Sequence, residues 1–353
     1  MKKTETQVKV VEEQLSDICS EAVDLLNITR HDKTDVSRFQ WLYGANPDGA
    51  AKIWSIRDAT SGKMAGFTVG LPRRMLVTGH AKIAWNCADF SIHPQYRTLG
   101  PAIKLRRAAR QGVDEGCIDF LYAHPNDRMA AVHKRVGHVP IGNMVRYARV
   151  IKSAAHFQQR FCSEVLGRAA GRIADPILAT VRRETWLRLK HEMKIISPAR
   201  FDERFDGLFD ESAGALNVMG IRDSRYLNWR YAENPLYETH AITAAKGGKL
   251  CGYLLFVIQE GVMHIKDIFP PTDPRAAGDL VARTLDLARQ RDLKSVSFSV
   301  LDGSWLLPTL KQFGFSKRED SSQMFGYARV DDPNHATILS SKCWFLTVGD
   351  RDV

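Results

Sequence analysis

The chain has no apolar run long enough to span a bilayer. Its longest stretch free of charge and strong polarity is CGYLLFVI, Cys251 to Ile258, far short of the roughly 20 residues a spanning helix needs, and it reads as a buried strand. The opening MKKTETQVKVVEEQLSD has neither an apolar core nor a small-residue cleavage site, so a secretory signal is not expected and a cytoplasmic address is. Cysteine is sparse and scattered: Cys19, Cys87, Cys117, Cys162, Cys251 and Cys343 form no CxxC and no Cys/His cluster of metal spacing. Free thiols and no metal are the expectation. GxSxG, HExxH, Walker and GxGxxG patterns are all missing. The DRD at 350–352 has no Rossmann-like unit before it, which removes a nucleotide-sugar metal site. Nor is there a block of one charge: the net +10 is spread along the chain, apart from Lys104 to Arg110 and a basic stretch from Arg168 to Lys194. A nucleic-acid partner is therefore not expected.

What is present is an internal repeat. SRFQWLYGANP, Ser37 to Pro47, returns as SRYLNWRYAENP, Ser224 to Pro235, with one residue inserted. After each copy a charged turn leads into a strand, at Ser61 and at Gly247, and each half closes on a helix ending in glycine, HKRVGH at 133–138 and LKQFGF at 310–315. Each half reads as a strand, one or two helices, a run of antiparallel strands, a strand leading into a helix, then another strand and helix. The paired Trp41 and Trp229 read as core first and as lining of an acceptor cleft next. Between the halves lies a helical connector broken near Pro176, whose basic face over 156–194 reads first as a solvated face and second as a candidate for peripheral contact with an anionic membrane. The tail SSKCWFLTVGDRDV is apolar enough to pack as a last strand.

The most informative segment is HPQYRTLGPA, His93 to Ala102. A strand ends at Ser91-Ile92 and Pro101 opens a helix, so the intervening turn directs its N–H groups at a helix N-terminus, where the dipole favours an anion. Gly100 and Ala102 leave room for a phosphate near the backbone, and Arg97 adds a charged donor. DFSIHPQYRTLGPA resembles the acyl-CoA pyrophosphate loop of the GNAT acetyltransferase superfamily, R/Q-x-x-G-x-G/A after a strand ending in an apolar-His-Pro sequence. NDRMAAVHKRVGH, Asn126 to His138, is similar to the second signature of that superfamily: Asn, a Tyr seven residues on, and Gly-Phe four further. Asn126, His133 and Gly137-His138 fall in that register. The chain departs from the pattern at Pro101, which removes one N–H, and at His133, which stands where the superfamily has Tyr.

The resemblance implies an α/β (α+β) protein of two tandem GNAT-like domains, each a mixed, mostly antiparallel sheet flanked by helices. The expected units are a first domain over 1–150, a connector over 151–189, a degenerate second domain over 190–335 and a tail over 336–353. In the second half PRAAGD, Pro274 to Asp279, keeps an Arg and a Gly, but Leu280 follows, and Gly303 and Leu310 occupy the Asn and Tyr positions. That half is expected to shape the substrate cleft.

The resemblance further implies acetyl-CoA, or another acyl-CoA, as co-substrate and direct transfer to an amine. Arg97, Thr98, Leu99, Gly100 and Ala102 would hold its pyrophosphate, and the backbone at Ser91 or Ile92 its thioester carbonyl. One of Lys104, Arg106 and Arg107 would reach its 3′-phosphate. Asn126 would hold the pantetheine arm or simply cap the next helix. Asp89 is the first candidate for the base, or else a strand-end Asp holding a turn, and His124 is the second. His133 either protonates the leaving thiolate or packs beside the cofactor. The acceptor is expected to be a small-molecule amine, with a sugar- or lipid-linked amine of bacterial polysaccharide or cell-surface pathways suggested by similar tandem proteins. Two rivals stand beside this reading. A Fem-like transferase using aminoacyl-tRNA suits the positive charge but has no need of the intact loop; a non-catalytic CoA-binding scaffold would leave His133 and Asp89 without chemistry.

Overall fold

The computed structural model of the chain describes residues 8–152, 184, 187–269 and 273–352. The first half comprises β1 (Val8–Glu13), α1 (Leu15–Thr29), α2 (Val36–Gly44), β2 (Lys52–Asp58), β3 (Met64–Val77), β4 (His80–Ile92), α3 (Leu99–Asp114), β5 (Phe120–Ala123), α4 (Asp127–Arg135) and β6 (Val139–Val150). The second half repeats the order with β7 (Glu192–Ile196), α5 (Glu203–Ser212), a short β8 (Val218–Gly220), α6 (Ser224–Leu227), β9 (His240–Lys246), β10 (Lys249–Gln259), β11 (Val262–Phe269), α7 (Pro274–Gln290), β12 (Ser295–Leu301), α8 (Leu307–Gln312) and β13 (Ser316–Ala328). Helix α9 (His335–Ile338) and β14 (Trp344–Phe345) follow. The connector expected at 151–189 lies largely outside the described residues, as does most of the proposed membrane-facing stretch 156–194.

Local sequence explains these elements. The β3–β4 hairpin turns at Thr78 and Gly79, both at positive φ (50° and 81°), as a two-residue turn matched to strand twist requires. In α3 the buried Ala102, Leu105, Ala109 and Val113 recur at helical spacing and pack on the sheet. Both repeats end α4 and α8 alike: His138 N–H bonds the His133 carbonyl at 3.0 Å and Phe315 N–H the Leu310 carbonyl at 3.0 Å, the six-to-one bond that closes a helix on a glycine.

The strands form one sheet in the order β1-β2-β3-β4-β5-β13-β6-β12-β11-β10-β9-β7, with β8 and β14 attached to the side of β3. Its seam is an exchange. Strand β6 leaves the first half to pair with β12 of the second, Ser295 opposite Val150 through Leu301 opposite Met144. Reciprocally, β13 pairs with β5, Phe325 opposite Ala123 through Ala328 opposite Phe120. The sequence reading ended each half on a helix and missed both strands, because SKREDSS in β13 and the Gly142-Asn143 step in β6 break the apolar alternation on which strands are recognised.

A single apolar cluster reaches from Ile18 in α1 to Phe345 in the tail, so the halves share a core. The repeated motif lies at its centre. Trp41 and Trp229 stack at 5.5 Å, and each indole N–H donates to the other's backbone carbonyl, at 2.9 and 3.0 Å. The residue inserted in the second copy is absorbed by a π-helical turn over Asn228–Ala232, which is how an α-helix accommodates one extra residue. Trp229 and Tyr231 thereby stay in phase with Trp41 and Tyr43.

Candidate active site

Strands β4 and β5 run parallel and pair only from Ala84 opposite Phe120 to Asn86 opposite Tyr122. Beyond Asn86 no strand among the described residues pairs with that edge of β4, and the two strands part. On its other edge β4 carries a bulge: Thr68 faces Phe90 and Val69 faces Ala88, leaving Asp89 as the extra residue. A bulge re-aims side chains and interrupts pairing, so it belongs beside a site rather than in a plain sheet.

The parted strand leads into the loop predicted from sequence. Ser91 and Ile92 end β4, both buried; the Ser91 hydroxyl pairs with that of Thr29 at 2.5 Å, and the Ile92 carbonyl accepts from Arg97 Nε at 3.1 Å. Thr98 is the N-cap of α3 and makes no capping bond with its own side chain. A Cβ added at Gly100 would meet nothing within 4 Å, and Leu99 is 40% exposed. The first turn of α3 thus presents backbone N–H groups, less that of Pro101, to open space. The corresponding helix of the second half is closed: the Asp273 carboxylate accepts from the Arg275 and Ala276 N–H groups at 2.9 and 3.1 Å. An arriving phosphate there would meet a carboxylate already in place.

Of the cations on α3, Arg106 points inward rather than toward a 3′-phosphate. It is 1% exposed, sits 5.3 Å from the Phe90 ring, and leaves Nε and Nη1 without partners among the described residues. Lys104 reaches the Val8 carbonyl at 3.4 Å, and Arg107 is exposed.

The acid–base candidates are placed in environments that the sequence did not disclose. Asp89 lies on the face of the sheet opposite α3, 2% exposed, and is clamped by Arg38 at 2.8 Å and Arg30 at 2.7 Å. Burial pushes its carboxyl up, but the two guanidinium groups outweigh burial and hold it below the usual range. A carboxylate held in this way is a weak proton acceptor. His133 is buried in α4 with its Nδ1 2.8 Å from His138 Nδ1. Burial, then Arg106, then His138 press its pKa far below neutrality, and burial with Arg106 and Arg110 brings His138 to about 3. These surroundings disfavour the imidazolium at His133, and its ring packs against Phe325 at 5.6 Å. His124 follows β5, with both ring nitrogens buried and unpartnered among the described residues. Burial and Arg351 keep it neutral against the opposing field of Asp350. Asn126 is the N-cap of α4, accepting from Met129 N–H at 3.1 Å. Asp89 and His124 thus follow the last paired residues of β4 and β5, residues 97–102 lie beyond the end of β4, and His133 is buried on α4.

Three solved structures share this architecture. A conserved protein of unknown function from Enterococcus faecalis V583, named a probable N-acyltransferase, is 13% identical with a TM-score of 0.65, over 92% of this chain and 72% of that one. A GCN5-related N-acetyltransferase from Anabaena variabilis is 14% identical at 0.63, over 91% and 73%, and one from Kribbella flavida is 10% identical at 0.61, over 91% and 71%. The fold is that of the GCN5-related N-acetyltransferases. Neither a protein-family model nor a curated protein matches the chain in sequence. No helix among the described residues is long and apolar enough to cross a membrane.

The tail also reaches the opening between β4 and β5. Trp344, Phe345 and Leu346 are buried, and the chain then runs across the opening on the face opposite α3. The Asp350 carbonyl accepts from Tyr122 Oη at 2.8 Å and Asn86 Nδ2 at 3.4 Å, the last pair before the strands part. Its carboxylate bonds Arg222 at 2.6 Å and Arg73 at 3.3 Å. These partners lie more than a hundred residues away in sequence, which is why no local pattern revealed them. Arg38 was visible inside the repeat, but its role was not.

Proposed function

We propose that the chain is an acyl-CoA-dependent N-acyltransferase, with acetyl-CoA as the first donor to test, acting through its first half by direct transfer to a primary amine. The observation that carries this reading is the uncapped, open helix N-terminus at 98–102 after a bulged strand that parts from its neighbour; β11 of the second half likewise bulges, at Lys266, and parts from β12 beyond Ile265, but its helix is capped by Asp273. The amine nitrogen attacks the thioester carbonyl carbon, the C–N bond forms, the C–S bond breaks, and CoA leaves as the thiolate and takes a proton. Asp89, held as an anion, fixes the Arg30 and Arg38 guanidinium groups beside the opening. His124, whose ring nitrogens have no partner among the described residues, is the group we assign to pass the amine proton on to water; burial disfavours its protonated form, so the proton does not rest there. An amino sugar of a polysaccharide or cell-surface pathway is the acceptor class we put first.

A CoA-binding protein without catalysis is the reading favoured by one observation: Asp89 is locked and both His133 and His138 are held neutral. Thiol release from acetyl-CoA in the presence of a panel of primary amines separates the two. Amine-dependent release above the rate without protein supports transfer; binding of acetyl-CoA with no release across the panel removes it.

A further inference from the structure

Of the six buried residues of α3, Arg106 is the one that carries a charge. Its side chain reaches the stretch of β4 that has lost its partner strand: the guanidinium sits 5.3 Å from the Phe90 ring, and one N–H is within reach of the thiol of Cys87, the residue after the last pair with β5. Arg106 is 1% exposed, and its Nε and Nη1 have no hydrogen-bond partner among the described residues. Buried donors are nearly always paired, and a buried charge without an opposite charge is costlier still.

Nothing that faces the guanidinium supplies the missing charge. From α4 and the turn after it come His133 and His138, whose imidazolium forms are disfavoured by burial and by Arg106 itself. From β4 comes Cys87, whose thiol burial pushes up in spite of the guanidinium, so it stays uncharged. From β13, Tyr327 stacks on His138 and gives its hydroxyl to Asp114. One turn along α3, Arg110 is a second cation, committed to the Val136 carbonyl at 2.6 Å and to Asp114 at 3.1 Å. Asp352 of the tail acts on Cys87 only through its field, and no carboxylate bonds Arg106 Nε or Nη1 among the described residues.

The path of the acyl donor identifies the missing partner. With its pyrophosphate at the first turn of α3, the pantetheine arm enters along that helix, and Arg106 lies about 9 Å beyond Gly100 at the helical rise per residue. The opposite face of the sheet, where Asp89 lies, is left for the amine, so attack on the carbonyl carbon leaves the sulfur on the α3 side. We infer that Arg106 receives the leaving sulfur of CoA, its Nε–H and Nη1–H donating to the thiolate as the C–S bond breaks. The inference rests on the acyltransferase reading above. The electron pair of the C–S bond goes to sulfur, the thiolate departs paired with the guanidinium, and it then takes a proton from water. A fixed cation in a buried site stabilises such an anion far more than an exposed one does.

The test is the ionisation of the CoA thiol in the complex. It is read across pH from the ultraviolet absorbance of the thiolate, as the difference between complexes with CoA and with desulfo-CoA, which has no sulfur. The expected result is a thiol that ionises at least about one pH unit lower on wild type than free in solution, a shift of about tenfold toward thiolate. In Arg106→Gln the lowering is lost, and Arg106→Lys, which keeps the charge but not the fork of donors, keeps part of it. Arg106→Met takes the place of Arg106→Gln if the amide does not fold. Ionisation unchanged on binding to wild type, or lowered as much in the uncharged variant, overturns the inference and leaves CoA binding standing. Absence of CoA binding by wild type removes the acyltransferase reading itself.

Discussion

Replacing Asp89 by Asn separates a clamp from a base. Asp89 is buried between Arg38, itself 6% exposed, and Arg30, whose side chain is 36% exposed. Removing one member of a buried pair leaves the other charge uncompensated, at about 3–5 kcal/mol. Arg30 can turn to water and adds about 1 kcal/mol or less, so a loss of about 3 kcal/mol is expected near neutrality. The sign with pH follows from the direction of the shift. The folded carboxyl lies below its unfolded value of about 3.9, so its contribution is fully present above that value and is lost as pH falls through the folded pKa. Urea unfolding from pH 7 to pH 3 should show Asp89→Asn less stable at pH 7 and the gap to wild type closing below about pH 4. The kcat/KM profile of wild type should carry no ionisation near neutrality that Asp89→Asn removes. An unchanged unfolding midpoint together with loss of such an ionisation would refute the clamp and restore Asp89 as the base.

The exchange of β6 and β13 predicts that residues 1–152 and 187–353, made separately, each lack a cooperative thermal transition, and that mixing them restores one by calorimetry. A Cβ at Gly112 would lie 2.3 Å from Trp85 Cζ3, so Gly112→Ala should cost about 2 kcal/mol in denaturant unfolding despite the better helix propensity of alanine. His138 is held neutral in the fold, with its pKa lowered from 6.5 to about 3. Stability that it supports is present above 6.5 and is lost as pH falls toward 3, and His138→Asn should flatten the unfolding curve across that window.

The sequence was most legible where the chemistry is local. The repeat around Trp41 and Trp229, the loop at 97–102 and the glycine-closed helices all depend on neighbours within a turn or two. The inserted residue in the second motif was visible, although its π turn was not, because an insertion can equally be absorbed in a loop. The seam was hidden because β13 is polar along half its length and its partners are decided by the other half. Asp89 was found by its place on the strand, but Arg30 and Arg38, which clamp it, lie more than fifty residues earlier, so the clamp left no local trace.

The central claim is that the first turn of α3 receives the pyrophosphate of an acyl-CoA. Calorimetric titration of acetyl-CoA into wild type and Gly100→Glu tests it most directly, since the added carboxylate stands in open space at that turn and repels phosphate. Saturable one-to-one binding by wild type, weakened at least about tenfold in a folded Gly100→Glu, is the predicted result. Equal binding by both proteins, or none by either, contradicts it.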